Sequence, residues 1–169
     1  MVLKQDWYVV YTKSKFENVV YDGFSKKNLE AFLPKMSVLS KRRDRRKMLN
    51  SPIFPGYVFV KSNMNANEHI EILKTVGVVN LIKNHKGPVC VDEESINSLK
   101  IMVSEKSENL LTGSSFSKGA KVRVIYGPFK GVTGTFINMK GRERVIVNFE
   151  TLGQFVSVDV SQEDVEVID

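Results

Sequence analysis

The chain is poor in the residue types from which most catalytic and metal sites are built. It has one cysteine, Cys90, and two histidines, His69 and His85, and neither histidine stands in a metal-ligand spacing with other donors. A single cysteine excludes an intramolecular disulfide and is compatible with a reducing cytoplasm. Its position between two valines predicts a small buried side chain. We therefore expect no enzymatic activity, no catalytic residue, no metal and no cofactor.

The chain also lacks a long apolar run. No segment approaches the roughly 18 apolar residues of a membrane helix, and residues 1–6 are too short and mixed for a signal peptide. These features predict a cytoplasmic protein without a membrane partner. The net charge of +6 is uneven: residues 1–107 carry 18 Lys and Arg against 11 Asp and Glu, and residues 108–169 carry 7 against 8. A basic N-terminal part favours nucleic acid or acidic protein surfaces as partners.

The N-terminal part has the hydrophobic patterns of an α+β domain, with helices packed on a sheet. Strands are predicted over residues 6–12, 31–34, 56–61 and 78–83. Ser14 and Glu17 match a capping box before a first helix, and Asn65 and Glu68 offer a second cap. A third helix follows Asp92. The residues predicted to face the core from these helices are Phe16, Val19, Val20, Phe24, Ile70, Leu73, Val76, Ile96, Leu99 and Val103.

The pattern changes after residue 107. Residues 108–117 are polar and predict a flexible linker. Beyond them, short β-branched runs are interrupted by Gly, Pro and Asn. Four or five short strands in about 50 residues predict a small β-barrel over residues 118–169. The expected division is therefore a domain over 1–107, a linker over 108–117 and a second domain over 118–169.

One strand carries an aromatic pattern that allows two interpretations. Phe54 to Val60 reads Phe-Pro-Gly-Tyr-Val-Phe-Val, and the Pro-Gly pair predicts a turn before the strand. Alternation places Tyr57 and Phe59 on the same face. Composition alone favours a buried core over an exposed aromatic binding face.

Two motifs together resemble the NusG type of transcription elongation factor. The first is Trp7-Tyr8-Val9-Val10 followed by the Phe54 to Val60 stretch, which resembles the NusG N-terminal (NGN) domain. The second, from Val122 to Gly134, reads Val-Arg-Val-Ile-Tyr-Gly-Pro-Phe-Lys-Gly-Val-Thr-Gly and resembles the KOW motif. The basic segment from Ser40 also resembles specialised paralogues of the RfaH or UpxY kind.

The resemblance implies a monomer that binds the clamp helices of RNA polymerase, modulates pausing and termination, and acts as a processive antiterminator. It further implies an NGN-type antiparallel sheet with helices, followed by a KOW β-barrel. The barrel would recruit Rho or a small-subunit ribosomal protein, and non-template or upstream DNA would be a further partner. KOW motifs also occur in ribosomal proteins, so the alternative is an RNA-binding or ribosome-associated protein.

The resemblance also assigns roles to individual residues. Tyr11, Tyr57 and Phe59 match aromatics of the polymerase-binding pocket. Lys13 matches a position that touches the displaced DNA strand, and Lys15 lies beside it. Some neighbouring positions that read DNA in RfaH are occupied here by Ser14, Val19, Gly23 and Val76, which disfavours sequence-specific recognition. The basic segment adds four expected phosphate contacts, Arg42, Arg43, Arg45 and Arg46, and the expected KOW turn comprises Gly127, Pro128, Phe129 and Gly131.

Overall fold

A computed structural model of the chain describes residues 4–39, 48–105, 110–114 and 119–168. The chain folds into two compact units, one formed by Met1–Lys35 with Ser51–Glu93 and the other by Met36–Asn50 with Glu94–Asp169. The predicted α+β class with a β-rich C-terminal part is confirmed. Among the described residues, no helix has both the length and the apolar composition needed to cross a membrane.

The first unit is built on a five-stranded antiparallel sheet. Its strands are β1 (Asp6–Thr12), β2 (Glu30–Phe32), β5 (Tyr57–Ser62), β6 (Val78–Leu81) and β9 (Cys90–Val91), in the order β2-β5-β1-β6, with β9 also paired to β1. The register of β1 and β5 runs from Asp6 opposite Ser62 to Tyr11 opposite Tyr57. A small hairpin of β7 (Lys83–Asn84) and β8 (Gly87–Pro88) precedes β9.

Two helices, α1 (Glu17–Lys26) and α2 (Ala66–Lys74), contribute to the core of this unit. They bury Val20, Phe24 and Ile72 in one cluster with apolar residues of β1, β5 and β6. Of the residues predicted to face the core from these two helices, only Val20 and Phe24 are buried, whereas Ile96 and Leu99 of the third predicted helix are buried as expected. A helix advances about 100° per residue, so Ile72 lies on the opposite side of α2 from Ile70. Ile70 and Leu73 form a longer apolar pattern than Ile72 alone, and the sequence therefore favoured the wrong side of the helix. Phe16, Val19, Ile70, Leu73 and Val76 are exposed.

The two helices begin differently. Asn65 caps α2, because its side chain accepts a hydrogen bond from the Glu68 N–H at 2.8 Å, as predicted. The N-cap of α1 is Phe16, without a side-chain hydrogen bond, so the Ser14 capping box is wrong. Lys15 has a φ of 65°, and this left-handed residue displaces Ser14 from the capping position.

Cys90 is exposed, so the prediction of a buried cysteine is also wrong. It forms part of the short strand β9 and stands opposite Tyr8. Residues of a strand alternate between its two faces, and in β9 the neighbour Val91 takes the buried side. Burial, with a further contribution from a hydrogen bond to Cys90, raises the pKa of Tyr8 to about 12.

The second unit is β-rich and also contains one helix and most of a separate hairpin. The bounds of its elements are β3 (Lys35–Leu39), β4 (Met48–Pro52), α3 (Glu93–Ser104), β10 (Leu111–Ser114), β11 (Ala120–Val124), β12 (Thr133–Met139), β13 (Arg142–Phe149), β14 (Gln154–Asp159) and β15 (Val165–Val167). The main sheet has the antiparallel order β10-β14-β13-β12-β11-β15, and β3 pairs with β4 in the hairpin. The interior of the unit holds valines such as Val122, Val124, Val145 and Val158.

Strand β10 lies within the segment that was predicted to be a flexible linker. It pairs with β14, and Leu111 stands opposite Ser157. The prediction of a structureless linker over 108–117 is therefore wrong for Leu111–Ser114. The polar composition of this segment suggested a linker, but an edge strand can pair through its backbone alone and needs no apolar side chains. Gly113 fits here since a Cβ on it would stand 2.8 Å from the Phe155 ring.

Candidate functional site

Two of the three predicted aromatic residues lie together at one end of the first sheet. Tyr11 and Tyr57 form the last pair in the β1–β5 register, and their ring centroids are 5.5 Å apart with the planes tilted by 53°. Tyr11 is 43% exposed, and Tyr57 is half-buried. Tilted rings at this separation attract each other. The pair therefore offers a partly solvated aromatic surface on a rigid sheet end, which we call the Tyr11–Tyr57 pair.

The turn before β5 holds this pair in place. Gly56 has a φ of +88°, a conformation that favours glycine. A Cβ at this position would stand 3.3 Å from Cε2 of Tyr11, so the Tyr11 ring packs directly against the glycine. The Gly56 N–H donates to Oε1 of Glu17 at 3.0 Å, and the Gly56 carbonyl accepts from the Thr12 N–H at 2.8 Å. The Pro-Gly turn is thus connected to both β1 and α1.

Phe59 does not belong to the exposed surface. It is 0% exposed and packs at 6.0 Å from Phe32 and 6.1 Å from Phe54, measured between ring centroids. Alternation does put it on the same face as Tyr57, but it stands opposite Val9 in the middle of the sheet. Its assignment as an exposed binding residue is therefore wrong, and the core interpretation is correct at this position.

The predicted basic residues after β1 are exposed and lie next to the Tyr11–Tyr57 pair along the chain. Lys13 and Lys15 both point into solvent, and Nζ of Lys13 is 5.9 Å from the centre of the Phe16 ring. The Lys13 N–H donates to the Gly77 carbonyl at 2.8 Å, which attaches this turn to the segment before β6. The predicted contacts Arg42, Arg43, Arg45 and Arg46 lie outside the described residues.

A groove between α1 and α2 brings together Val19, Gly23 and Val76, which the resemblance had grouped, and adds lysines that sequence reasoning did not include. It encloses a volume of about 590 Å³, and its floor is tight because a Cβ on Gly23 would stand 2.6 Å from Cγ2 of Thr75. Spacing alone could have suggested it: Val19, Gly23 and Lys26 follow one helical face. The groove is lined by Val19, Asp22, Gly23, Lys26, Lys27, Lys74, Thr75 and Val76.

The predicted KOW turn forms a compact loop between β11 and β12. Gly127 and Gly131 have φ values of +89° and +98°, and the Gly131 N–H donates to the Val124 carbonyl at 2.9 Å. Phe129 is buried and Pro128 is exposed. Phe129 therefore fixes the loop from inside.

A cavity of about 370 Å³ opens beside the KOW turn. Pro128 and Phe129 line it together with Tyr126 and Asp159, and Tyr126 is 65% exposed. Asp159 accepts hydrogen bonds from Arg142 and from the buried Arg144. Burial lowers the pKa of Arg144, and the charge of Asp159 opposes that change.

Comparisons with known proteins find sequence similarity to NusG proteins. A family model described as transcription termination factor NusG matches residues 5–100. The transcription termination/antitermination protein NusG of Chlamydia trachomatis is 27% identical over 159 residues, covering 84% of each chain. Its Bacillus subtilis counterpart is 27% identical over 167 residues, covering 83% of this chain and 93% of that one. A solved chain described as domain interaction in Thermotoga maritima NusG is 24% identical, covers 98% of each chain and has a TM-score of 0.49.

The matching family model and the relatives are transcription factors, which are not enzymes. The chain belongs to the NusG family of transcription termination and antitermination factors. The resemblance predicted from the two motifs is thereby confirmed, and so is the prediction that the protein is not an enzyme.

Proposed function

We propose that the chain binds the clamp helices of RNA polymerase through a surface centred on the Tyr11–Tyr57 pair and acts there as a processive antiterminator. One observation carries the proposal: two tyrosine rings meet at 5.5 Å at the sheet end, and one of them is 43% exposed. Aromatic rings on a rigid support are typical anchors of protein interfaces. An apolar helix face is a suitable partner for such rings.

A truncation at the pair tests this contact. Tyr57→Ala should weaken binding of the full chain to a purified clamp-helix fragment by about 2 kcal/mol, which is roughly 30-fold in Kd. Tyr21→Ala is the matched control, because Tyr21 is a comparably exposed tyrosine (36%) on α1 and should leave Kd unchanged. Titration calorimetry measures both. Wild-type affinity in a folded Tyr57→Ala chain would contradict the proposal.

Phe59→Ala separates the buried aromatic from the pair. Because Phe59 is fully buried, its truncation should cost about 3–5 kcal/mol of folding stability. We therefore expect this variant to lose binding only through loss of the folded unit. Phe59 is consequently not part of the proposed contact surface.

We further propose that Lys13 and Lys15 contact the phosphates of non-template or upstream DNA in the elongation complex. Both side chains are exposed and lie two and four residues after Tyr11. A chain that docks through the tyrosines therefore presents both lysines beside the polymerase contact. Phosphate contacts position a protein without reading sequence. The groove between α1 and α2 adds Lys26 and Lys74 to the basic residues of this unit, whereas its third lysine, Lys27, pairs with Glu71 at 3.3 Å.

Salt dependence tests this DNA contact. Each phosphate contact contributes about 0.7 to 0.9 to the slope of log K against log salt. The double substitution Lys13→Ala with Lys15→Ala should flatten the slope for the complete elongation complex, and binding to the clamp-helix fragment should change little. The control is Lys83→Ala with Lys86→Ala, on the β7–β8 hairpin, which removes the same charge from other exposed positions. An unchanged slope in the first variant would overturn the assignment.

For the second unit we propose that the KOW turn recruits Rho or a small-subunit ribosomal protein. The cavity beside the turn, with its exposed Tyr126, supports a protein partner. Binding of the purified full chain to Rho and to small ribosomal subunits, each measured separately, decides between the two. Binding to neither would contradict this part of the proposal.

A further inference from the structure

Glu17 is a buried carboxylate in the first turn of α1. It is 7% exposed, and its Oε1 accepts a hydrogen bond from the Gly56 N–H at 3.0 Å. Glutamate is rarely buried, because removing its charge from water is costly unless hydrogen bonds compensate. Its partner is a backbone amide 39 residues away in sequence. This bond therefore stabilises a particular arrangement of two distant segments.

The bond completes the immobilisation of Gly56. Thr12 holds the carbonyl of this residue from β1, at 2.8 Å, and Glu17 holds its N–H from α1. A residue with a φ of +88° that is bonded on both sides cannot rotate without breaking one of these contacts. The next residue, Tyr57, closes the turn by donating its N–H to the Phe54 carbonyl at 3.1 Å.

Both rings of the Tyr11–Tyr57 pair depend on this glycine. Tyr57 follows it in the chain, so the orientation of the Gly56 peptide sets the start of β5. The Tyr11 ring lies so close that a Cβ on Gly56 would stand 3.3 Å from its Cε2 atom. A shift of Gly56 would therefore move Tyr57 through the backbone and Tyr11 through direct contact.

We infer that Glu17 is a positioning residue for the aromatic surface: its carboxylate oxygen holds Gly56 and thereby presets the two tyrosines for their partner. The inference rests on the proposed polymerase contact. A different role for the same residue is to place a negative charge at the start of α1, where it favours the helix dipole. The two roles need different properties of the side chain. Positioning needs an acceptor oxygen that reaches the Gly56 N–H, whereas the helix dipole needs only a negative charge.

Two conservative variants separate these roles. Glu17→Gln removes the charge and keeps an Oε1 acceptor at the same distance from the backbone, whereas Glu17→Asp keeps the charge and shortens the side chain by one methylene. For the clamp-helix fragment, we expect Kd within about twofold of wild type for Glu17→Gln and raised about tenfold for Glu17→Asp, about the loss of one hydrogen bond. The reverse order would support the dipole role and overturn the inference.

Glu68 provides the matched control. It occupies the first turn of α2 and accepts a hydrogen bond from the Asn63 N–H at 3.2 Å. Glu68→Asp therefore shortens a glutamate in the first turn of the other helix and disturbs its bonds to the Asn63 N–H and the Ser62 hydroxyl. It should lower the thermal stability of the full chain without changing Kd. An equal loss of affinity in both aspartate variants would mean that general destabilisation explains the effect, and the inference would fail.

A measurement without polymerase covers the case in which Glu17→Asp does not fold. In the free wild-type chain, the Gly56 amide should exchange slowly with solvent, and nuclear Overhauser contacts should join the Tyr11 and Tyr57 rings; both should persist in Glu17→Gln. Fast exchange at Gly56 or absent ring contacts in the wild type would overturn the inference. If these signals are present but the wild-type chain does not bind the clamp helices, the proposed function fails while the positioning of the rings stands.

Discussion

Helices α1 and α2 begin with similar sequence signals but use them differently. Each has a small polar residue three positions before a glutamate, Ser14 before Glu17 and Asn65 before Glu68. In α2 the signal is used locally: Asn65 caps the helix, and Glu68 bonds to the turn just before it. In α1, no side chain caps the first turn, and Glu17 bonds to Gly56 in the distant turn before β5.

A glutamate at the start of a helix can thus bond to the turn just before the helix, as Glu68 does, or to a distant turn, as Glu17 does. A local cap stabilises a helix whatever lies around it. A glutamate that accepts a hydrogen bond from a distant loop stabilises the helix only when that loop is also in place. We conclude that α2 is anchored by its own sequence, whereas the start of α1 is coupled to the Pro-Gly turn and the Tyr11–Tyr57 pair.

The largest expected effect concerns the face through which α2 packs. Ile72→Ala should lower the free energy of unfolding by about 2–5 kcal/mol, because Ile72 is completely buried. Ile70→Ala should change it by no more than about 0.5 kcal/mol, since Ile70 is 47% exposed. Urea unfolding followed by the fluorescence of Trp7, the single tryptophan, reports on the first unit. Equal losses in the two variants would show that α2 is rotated relative to its described position.

A smaller effect separates the two helix starts directly. Asn65→Ala should cost about 1 kcal/mol of folding stability, the usual loss for a side-chain cap. Ser14→Ala should cost less than about 0.5 kcal/mol, because Ser14 is exposed and does not cap α1. The same fluorescence assay measures both variants. A loss at Ser14 as large as that at Asn65 would restore the capping box and remove the contrast between the helices.

Sequence patterns predicted four of the five strands of the first sheet, the N-cap of α2 and the family with its two motifs, but not the short strand β9. These features depend on residues that are close together in the sequence. Strands show alternation, the N-cap accepts from an amide a few residues away, and the motif has turn glycines at fixed spacing.

The failures have a common physical origin in contacts between distant segments. Phe59 shares a strand face with Tyr57, and only the position of the sheet edge decides which of the two is covered. The role of Glu17 depends on an amide 39 residues away, which no local pattern contains. Strand β10 exists because β14 offers a free edge for pairing, whereas its own composition is that of a linker.

The position of Tyr11 and Tyr57 at the last pair of the register has a consequence for how such a protein can evolve. Residues at the end of a sheet can change with little effect on the strands behind them, which are held by Val10, Val58 and other buried residues. New partner preferences can thus arise by substitution at two rim positions while the scaffold stays intact. Gene duplication followed by changes at this rim would yield factors with the same fold and divergent targets.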